Sequence, residues 1–354
     1  MTMQTFGLST GRLNRFKGQI LKHAVPMECL SRAGRQVSYP ENNSDTYVAR
    51  RWLPYGATAS APNTFFGTTT AVDRGNVMVQ AHQTAEGITP TPDSITPQDV
   101  TVVMKQYSCL YGWTDKTAGL YEDDIPAAMK EQIGERVTLV NEMIVFGELK
   151  AGTNQFYGGT GTSRATVNGG ITLPMIRKMA KSLMANHGKM VTSVLKPSAM
   201  YGTDPVAGGY LVYVSTDLEP DVRDLPNFVP AEKYASGTPM ANELGKCERF
   251  RFITSPEFVP ILDGGAAVGT TGLQSNLGTS VDVYQFIVVA DSCFSQIAVR
   301  GLSNLSPTFL PTGQKSKSDP HGQRGYAGTI WWKAVMIENQ GWMGIGLVGS
   351  KNLS

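Results

Sequence analysis

The sequence contains few of the residues that build most catalytic and metal sites. Its 354 residues include four histidines, and its four cysteines stand far apart at positions 29, 109, 247 and 293. No CxxC, HExxH or GxSxG motif and no dinucleotide-binding fingerprint occurs. We therefore expect the cysteines to be buried free thiols in a reducing compartment, and we expect no metal and no cofactor.

Long apolar runs and an excess of charge of one sign are also absent. No run approaches the ~18 residues of a membrane span, and the N-terminus MTMQTFGLSTGRLNRFKGQ lacks the apolar centre of a signal peptide. Charged residues make up 17% of the chain, below the ~25% of a typical protein, and the net charge is +2. This charge balance gives no argument for nucleic-acid binding. Because a membrane span and a signal peptide are both missing, we expect a cytosolic protein without membrane contact.

The clearest feature that is present is a long amphipathic helix, predicted for residues 122–152. Asp124 can cap its start, Pro126 falls in the first turn, and Gly152 is a suitable end. Its apolar residues recur every three or four positions and form one stripe. That stripe is expected to be core: Ile125, Met129, Ile133, Val137, Val140 and Ile144.

The stripe is expected to pack on a sheet made by a strand near 99–111 and a closing strand at 329–337. Within the closing strand, Trp331 and Trp332 point to opposite faces, so one should be core and the other should meet a neighbouring element or subunit. The charged residues on the other face of the helix are expected to be exposed: Lys130, Glu131 and Glu142.

Residues 1–35 are polar and basic, with a single acidic residue, Glu28. They predict a terminal arm that is either solvated or lies on a neighbouring subunit or a polyanion, since clustered cations can touch phosphates. The contact candidates in this arm are Arg12, Arg15 and Lys17.

Residues 36–95 predict a long β-hairpin, with 36–56 as one arm and 75–82 as part of the return. The segment between them is small, polar and rich in turns, and such an excursion without a core is typical of a loop that serves a function or packs on a partner. The contact candidates near its tip are Phe65, Phe66 and Arg74. The two aromatic residues either pack locally within the loop or anchor it in a groove of another subunit.

The remaining elements alternate between strands and short helices. A second helix is predicted at 172–187 and a short one at 216–225, with a low-complexity loop at 263–280. The further strands are predicted at 208–215, 248–255, 281–291 and 294–302.

Two segments resemble reactive sites without meeting their requirements. The stretch GGTGTS at 158–163 lacks the lysine and the preceding strand that a phosphate-binding loop needs. His321 lies near Asp319 and Arg324, but these residues fit a polar turn before the last strand. No reaction centre is assembled from these residues, so we do not expect an enzyme.

Three segments carry a family resemblance: 85–115 (AEGITPTPDSITPQDVTVVMKQYSCLYGWTD), 243–257 (ELGKCERFRFITSPE) and 318–337 (SDPHGQRGYAGTIWWKAVMI). The first leaves the hairpin and enters a strand, the second is a Gly-containing turn before a strand, and the third places Asp-Pro, Gln-Arg-Gly and Trp-Lys ahead of the closing strand. In this order they resemble the major capsid proteins of tailed bacteriophages, which have the HK97-like fold, and more narrowly the N4-type family.

The resemblance implies an α+β fold with a long spine helix, an extended β-hairpin (E-loop), a peripheral domain and an axial domain. It implies five segments: an N-terminal arm at 1–35, the hairpin at 36–95, the peripheral domain at 96–189, the axial domain mainly at 190–325, and a closing strand with a tail at 326–354 that returns to the peripheral domain.

The implied function is structural: pentamers and hexamers form an icosahedral shell around packaged double-stranded DNA, which is bound without sequence specificity. The chain would belong to the virion capsid and assemble in the bacterial cytoplasm. A portal protein and an optional decoration protein are the implied partners. Some relatives begin with a scaffolding segment of roughly a hundred residues. Only about 35 residues precede the hairpin here, so a separate scaffolding protein is expected.

Some relatives join a hairpin lysine to a neighbour's asparagine through an isopeptide bond. In this chain no lysine lies between Lys22 and Lys105, so the hairpin has no nucleophile for that bond. We expect denaturing gels of mature shells to show monomer only. A ladder of crosslinked species would contradict this prediction.

Two alternatives remain open. An encapsulin-type compartment uses the same fold to enclose cargo enzymes, and the N4-type segments and the basic arm argue against it. A soluble β-rich enzyme or ligand-binding domain is the more distant alternative. Particle size distinguishes the enzyme or ligand-binding domain, a small oligomer, from a shell. The enclosed material, cargo enzyme or DNA, distinguishes the encapsulin-type compartment from a phage capsid.

Overall fold

The computed structural model describes residues 26–64, 79–80, 82–90, 92–120, 124–195, 203–234, 239–269, 271–276, 278–300 and 306–351. Outside these ranges lie all six predicted contact residues: Arg12, Arg15, Lys17, Phe65, Phe66 and Arg74. Their contacts with other subunits stay predictions.

The fold is α+β, as expected. The strands are β1 (Arg35–Tyr39), β2 (Thr46–Trp52), β3 (Pro97–Val103), β4 (Lys105–Thr114), β5 (Gln155–Tyr157), β6 (Val191–Leu195), β7 (Thr203–Ser215), β8 (Phe228–Pro230), β9 (Glu243–Cys247), β10 (Phe250–Ser255), β11 (Val283–Val289), β12 (Phe294–Val299), β13 (Ser306–Leu310), β14 (Arg324–Ile337) and β15 (Met343–Gly349). The α-helices are α1 (Asp115–Leu120), α2 (Ile125–Leu149), α3 (Leu173–Ala185) and α4 (Glu219–Arg223).

The strands form three sheets. The first has five strands, four of them in the order β1-β12-β14-β13. The fifth, β4, pairs with β14 from Arg324 to Lys333, along the edge opposite β13. The second has eight strands in the order β5-β15-β11-β7-β10-β9-β8, with β6 paired to β7. The third is the antiparallel ribbon of β2 and β3.

Helix α2 is the 25-residue spine of the subunit. The Asp124 side chain caps it by accepting the Ala127 N–H at 3.1 Å, and Pro126 lies in the first turn. In the first half of the helix, Ile133 and Val137 are buried against β4 and β14. Met129 and Val140 pack half-buried against the same core, and Ile125 is half-buried near the helix start.

The second half of α2 buries a different set of side chains. Val145, Phe146 and Leu149 enter the core that covers one face of the eight-stranded sheet, and Ile144 packs at its edge. The expected packing of one stripe on β4 and β14 is therefore confirmed for the first half of the helix and is wrong for the second. One helix is shared by two cores.

Three strand predictions near the hairpin need correction. Residues 36–56 are not one hairpin arm, because residues 36–39 lie in β1, which pairs in parallel with β12 of the first sheet. The predicted strand at 99–111 is two strands, β3 and β4, separated at Met104, whose side chain is buried and whose N–H donates to the Asp45 carbonyl at 2.8 Å. The strand that returns beside β2 is β3, not residues 75–82. Of those residues, 79 and 80 are helical and 75–78 lie outside the described ranges.

The tail at 326–354 does not simply return to the sheet that carries the spine helix. Its residues 343–349 form β15, a fully buried strand of the eight-stranded sheet between β5 and β11. The glycines make this possible: a Cβ atom at Gly346 would stand 2.1 Å from the Phe286 ring. A glycine-rich composition thus reflects close packing here and not a loop.

Candidate subunit-contact surfaces

The β2–β3 ribbon has one face on its own subunit and one face bare. The inner face of the ribbon packs on a core formed by Met104 with residues of β12 and β14, and Trp332 packs against the same core. This inner face consists of Tyr47, Ala49, Val100 and Val102. On the opposite face, the exposed apolar residues are Val48, Trp52 and Val103, which are 51%, 63% and 50% exposed.

Polar contacts hold the ribbon in register and tie it to the subunit. Arg50 donates two hydrogen bonds to the Asp99 carboxylate on the facing strand, at 2.7 and 2.9 Å. This contact lowers the pKa of the Asp99 carboxyl. Arg51 donates to Gln98 on the facing strand at 2.8 Å and to the Glu338 carbonyl at 3.1 Å. These hydrogen bonds fix the ribbon to the subunit, so its exposed apolar face has a defined position.

The loop beyond β2 is fastened by three asparagines. The Asn63 amide donates to the side-chain oxygens of Asn339, at 2.9 Å, and Asn186, at 3.2 Å, and Asn339 donates back to Asn63 at 2.6 Å. Trp342 Nε1 donates to the Asn186 carbonyl at 2.8 Å. The Asn63–Asn186 hydrogen bond attaches the loop after β2 to the C-terminal end of α3.

A second bare surface is the face of the first sheet turned away from α2. Directly paired residues share a face, and Leu110 pairs with Gly328 while Leu310 pairs with Tyr326. Together with Ile330, they form an apolar surface whose three large side chains are 46%, 43% and 53% exposed. Antiparallel sheets often have one solvated face, but that face is then usually polar. Apolar side chains here indicate a partner.

The root of the N-terminal arm is held by Glu142, on the spine helix. Its carboxylate accepts the N–H groups of Cys29, Leu30 and Ser31 at 3.2, 2.7 and 3.0 Å, and the residue is 0% exposed. The prediction that Glu142 is exposed is therefore wrong. Orphan N–H groups at the start of a helical turn attract a carboxylate, and here the carboxylate comes from a distant part of the chain.

Two further groups complete this root. Gln296 of β12 donates to the carbonyls of Ser31 and Ala33 at 2.6 and 2.8 Å. Burial lowers the pKa of Lys333, on β14, to about 8. The negative charges of the nearby Glu28 and Glu142 partly oppose this shift. Residues 29–33 are therefore fixed to the subunit through both their N–H and their carbonyl groups.

The two tryptophans of the closing strand lie on opposite faces. Trp331 is buried under α2 and donates its indole N–H to Asn141 at 3.1 Å, whereas Trp332 packs half-buried against the core that also receives the ribbon. His321 is exposed beside the turn in which Asp319 accepts the Arg324 N–H at 2.9 Å.

No group of three or more His, Cys, Asp or Glu side chains in the described ranges is arranged to hold a metal ion. Among the helices that the structure describes, none has the length and apolar character to cross a bilayer. The four cysteines are free and buried.

The comparisons with known proteins concern the fold. No protein-family model and no curated protein matches the sequence. The capsid of Ralstonia phage GP4 matches with a TM-score of 0.65 and 10% identity over 99% of this chain and 100% of that chain. The capsid of Helicobacter pylori bacteriophage KHP30 matches with a TM-score of 0.59 and 10% identity over 99% of each chain. The chain has the HK97-like capsid fold.

A third capsid with this fold, from the mature particle of bacteriophage PhiM1, matches with a TM-score of 0.57 and 10% identity over 94% of this chain and 90% of that chain. At this identity the shared capsid fold is built from different side chains. The ribbon, the open sheet face and the Glu142 contact are therefore features to be explained from this chain's own residues.

Proposed function

We propose that this chain is a major capsid protein of a tailed bacteriophage, and that its copies assemble as pentamers and hexamers into an icosahedral shell around double-stranded DNA. The observation that carries the proposal is the capsid fold, matched over 99% of the chain. The two bare apolar surfaces support it, because a free subunit would leave them in water.

Within this proposal, residues 36–95 belong to the extended hairpin that lies on an adjacent subunit, and β3, just beyond them, closes the base of that hairpin against β2. A two-stranded ribbon is marginally stable by itself, and this one has its own subunit on one face only. Residues 96–189 would form the peripheral domain and 190–325 most of the axial domain. Strand β12, from the latter range, lies in the first sheet, and β15, from the tail, lies in the second, so the boundary is interleaved.

The predicted contact residues keep their roles in the proposal. Arg12, Arg15 and Lys17 would meet a neighbouring subunit from the arm, and Phe65, Phe66 and Arg74 would do so from the hairpin. The further partners are a separate scaffolding protein, a portal protein and an optional decoration protein, with assembly in the bacterial cytoplasm and a final place in the virion. The narrower N4-type assignment rests on segments 85–115, 243–257 and 318–337.

The test is particle formation. Full-length protein, alone and co-expressed with the scaffolding protein encoded near it, is examined by size-exclusion chromatography and negative-stain electron microscopy. Closed shells of uniform size are expected with the scaffolding protein. A small oligomer under both conditions would contradict the proposal and favour the ligand-binding alternative. Shells that enclose a cargo enzyme in place of DNA would favour the encapsulin-type alternative.

The two faces of the ribbon should respond differently to mutation. Trp52→Ser acts on the bare face, so we expect the melting temperature of the unassembled subunit to stay within a few degrees, as for most surface changes. Shell yield should fall severalfold. Val100→Ser, on the inner face, is the matched control and should lower the melting temperature. Equal loss of stability and assembly in both variants would show that the ribbon serves folding alone.

A further inference from the structure

Helix α3 has two chemically distinct faces. Met175, Ile176, Met179 and Leu183 are buried on the second face of the eight-stranded sheet, opposite the core that receives α2. The outward face carries the exposed cations of the helix: Arg177, Lys178 and Lys181. The helix contains no acidic residue.

A groove of about 610 Å³ runs beside this face. It lies between α3 and the turn that joins β9 to β10, and its charged lining residues are Arg177, Lys181, Glu248 and Arg249. The turn is sharp, since Glu248 has a φ of 53°, and it brings Arg249 beside the helix. Met184 is the one exposed large apolar residue in the lining.

The one carboxylate in the groove is already neutralised. Arg177 binds Glu248 through Nε at 2.9 Å and Nη2 at 2.5 Å, and this contact lowers the pKa of the Glu248 carboxyl, which is therefore ionised. Lys178, Lys181 and Arg249 make no ion pair with any residue that the structure describes. Within the described residues, Lys178 and Lys181 thus have no counter-charge, while Arg249 donates to the Met184 sulfur and its charge also acts on Glu248.

Three other surfaces differ from this one. The outer faces of the ribbon and of the first sheet are apolar, and the ribbon's Arg50 is paired with Asp99. The exposed part of α2 mixes Lys130 and Arg136 with Glu131 and is close to neutral. The exposed turn at 315–324 also has more basic than acidic residues, and it therefore serves below as the comparison for α3.

We propose that this basic face, Lys178 and Lys181 of α3 with Arg249, contacts the phosphates of the enclosed double-stranded DNA and so marks a surface that faces the shell interior. The inference rests on the proposed function and adds to it the surface that meets DNA. Lysine ammonium groups on flexible stems suit contacts that need no fixed geometry or base sequence. A protein contact normally centres on large exposed apolar side chains. In this groove Met184 is the one such side chain, beside the small Ala180 and Ala185 and the buried Phe250.

Each subunit needs only a weak contact. Phosphate contacts release counterions, so affinity depends on salt. Copies arrayed on one shell surface act together, and weak individual binding then becomes strong overall. The proposal therefore requires no sequence-reading residue.

The test reverses the charge of the face in the full-length protein. Lys178→Glu with Lys181→Glu is compared with Lys315→Glu and Lys317→Glu, which makes the same charge change on exposed residues elsewhere. Binding to a fluorescent duplex is followed by anisotropy between about 50 and 200 mM salt. We expect the α3 variant to bind at least about tenfold more weakly and its salt slope to fall by about two. The control should change affinity by less than about threefold.

Circular dichroism establishes that both variants are folded, and electron microscopy reports their assembly. Equal weakening in both variants would overturn the inference in favour of a net-charge effect. An unchanged DNA affinity would also overturn it, and loss of shells with that affinity intact would assign the face to contact between subunits. Failure of the unmodified protein to form shells would count against the proposed function itself.

Discussion

Replacing Val137 with aspartate is expected to prevent the subunit from folding. Val137 is 3% exposed and lies in the core between α2 and the first sheet, with Trp113 and Trp331 as neighbours. An unpaired carboxylate there costs several kcal/mol, in addition to the lost apolar packing. A domain is stabilised by only about 5–15 kcal/mol in total. The expected observation is loss of soluble protein, or soluble protein without a cooperative thermal transition.

Glu131→Lys is the matched control, because it changes charge on an exposed position of the same helix. It should leave the thermal transition in place and at most disturb assembly. If the Val137→Asp variant melted within a few degrees of the unmodified chain, the core between α2 and the first sheet could not be as described.

Replacing Glu142 with glutamine is expected to lower the free energy of unfolding by about 2–4 kcal/mol. The amide keeps one acceptor oxygen but turns an NH₂ group toward a backbone N–H, so at least one of the donors on Cys29, Leu30 and Ser31 loses its partner. A buried donor without a partner is costly because water cannot replace the lost bond. Chemical denaturation measures the difference.

A second measurement separates this contact from general loss of stability. Trypsin should cut after Arg32 or Arg35 faster in the glutamine variant, since the root of the arm is no longer held. Glu131→Gln makes the same chemical change on the exposed side of the helix and should alter neither stability nor cleavage. Identical digestion of both variants would show that Glu142 does not fasten the arm.

Local pattern was sufficient to predict the position and kind of most helices and strands. Helix α2 follows from apolar spacing and Pro126, and α3 from the spacing of Ile176, Met179 and Leu183. The role of Glu142 could not be predicted this way. A charged residue on an amphipathic helix normally indicates a position exposed to solvent. The backbone partners of Glu142 lie up to 113 residues away in the chain, so no local pattern reveals them.

The tail shows the same limit for composition. Glycines in 343–349 predict a loop, yet β15 is buried throughout, because Phe286 on β11 occupies the space that a side chain at Gly346 would need. Strand geometry places successive side chains of β2 on opposite faces. Which face stays bare depends on a core that includes residues far away in the sequence, such as Ile297 and Met336.

The sharing of α2 between two cores has a mechanical consequence. The helix is about 37 Å long, and its two halves are embedded under different sheets. Tilting one sheet against the other would have to bend a continuous helix or pull one of its halves out of a packed interior. Under load from its neighbours the subunit should thus behave as one stiff plate. In the proposed shell, differences in curvature between subunit positions would then arise at the contacts between subunits, to which the proposal assigns the ribbon and the arm.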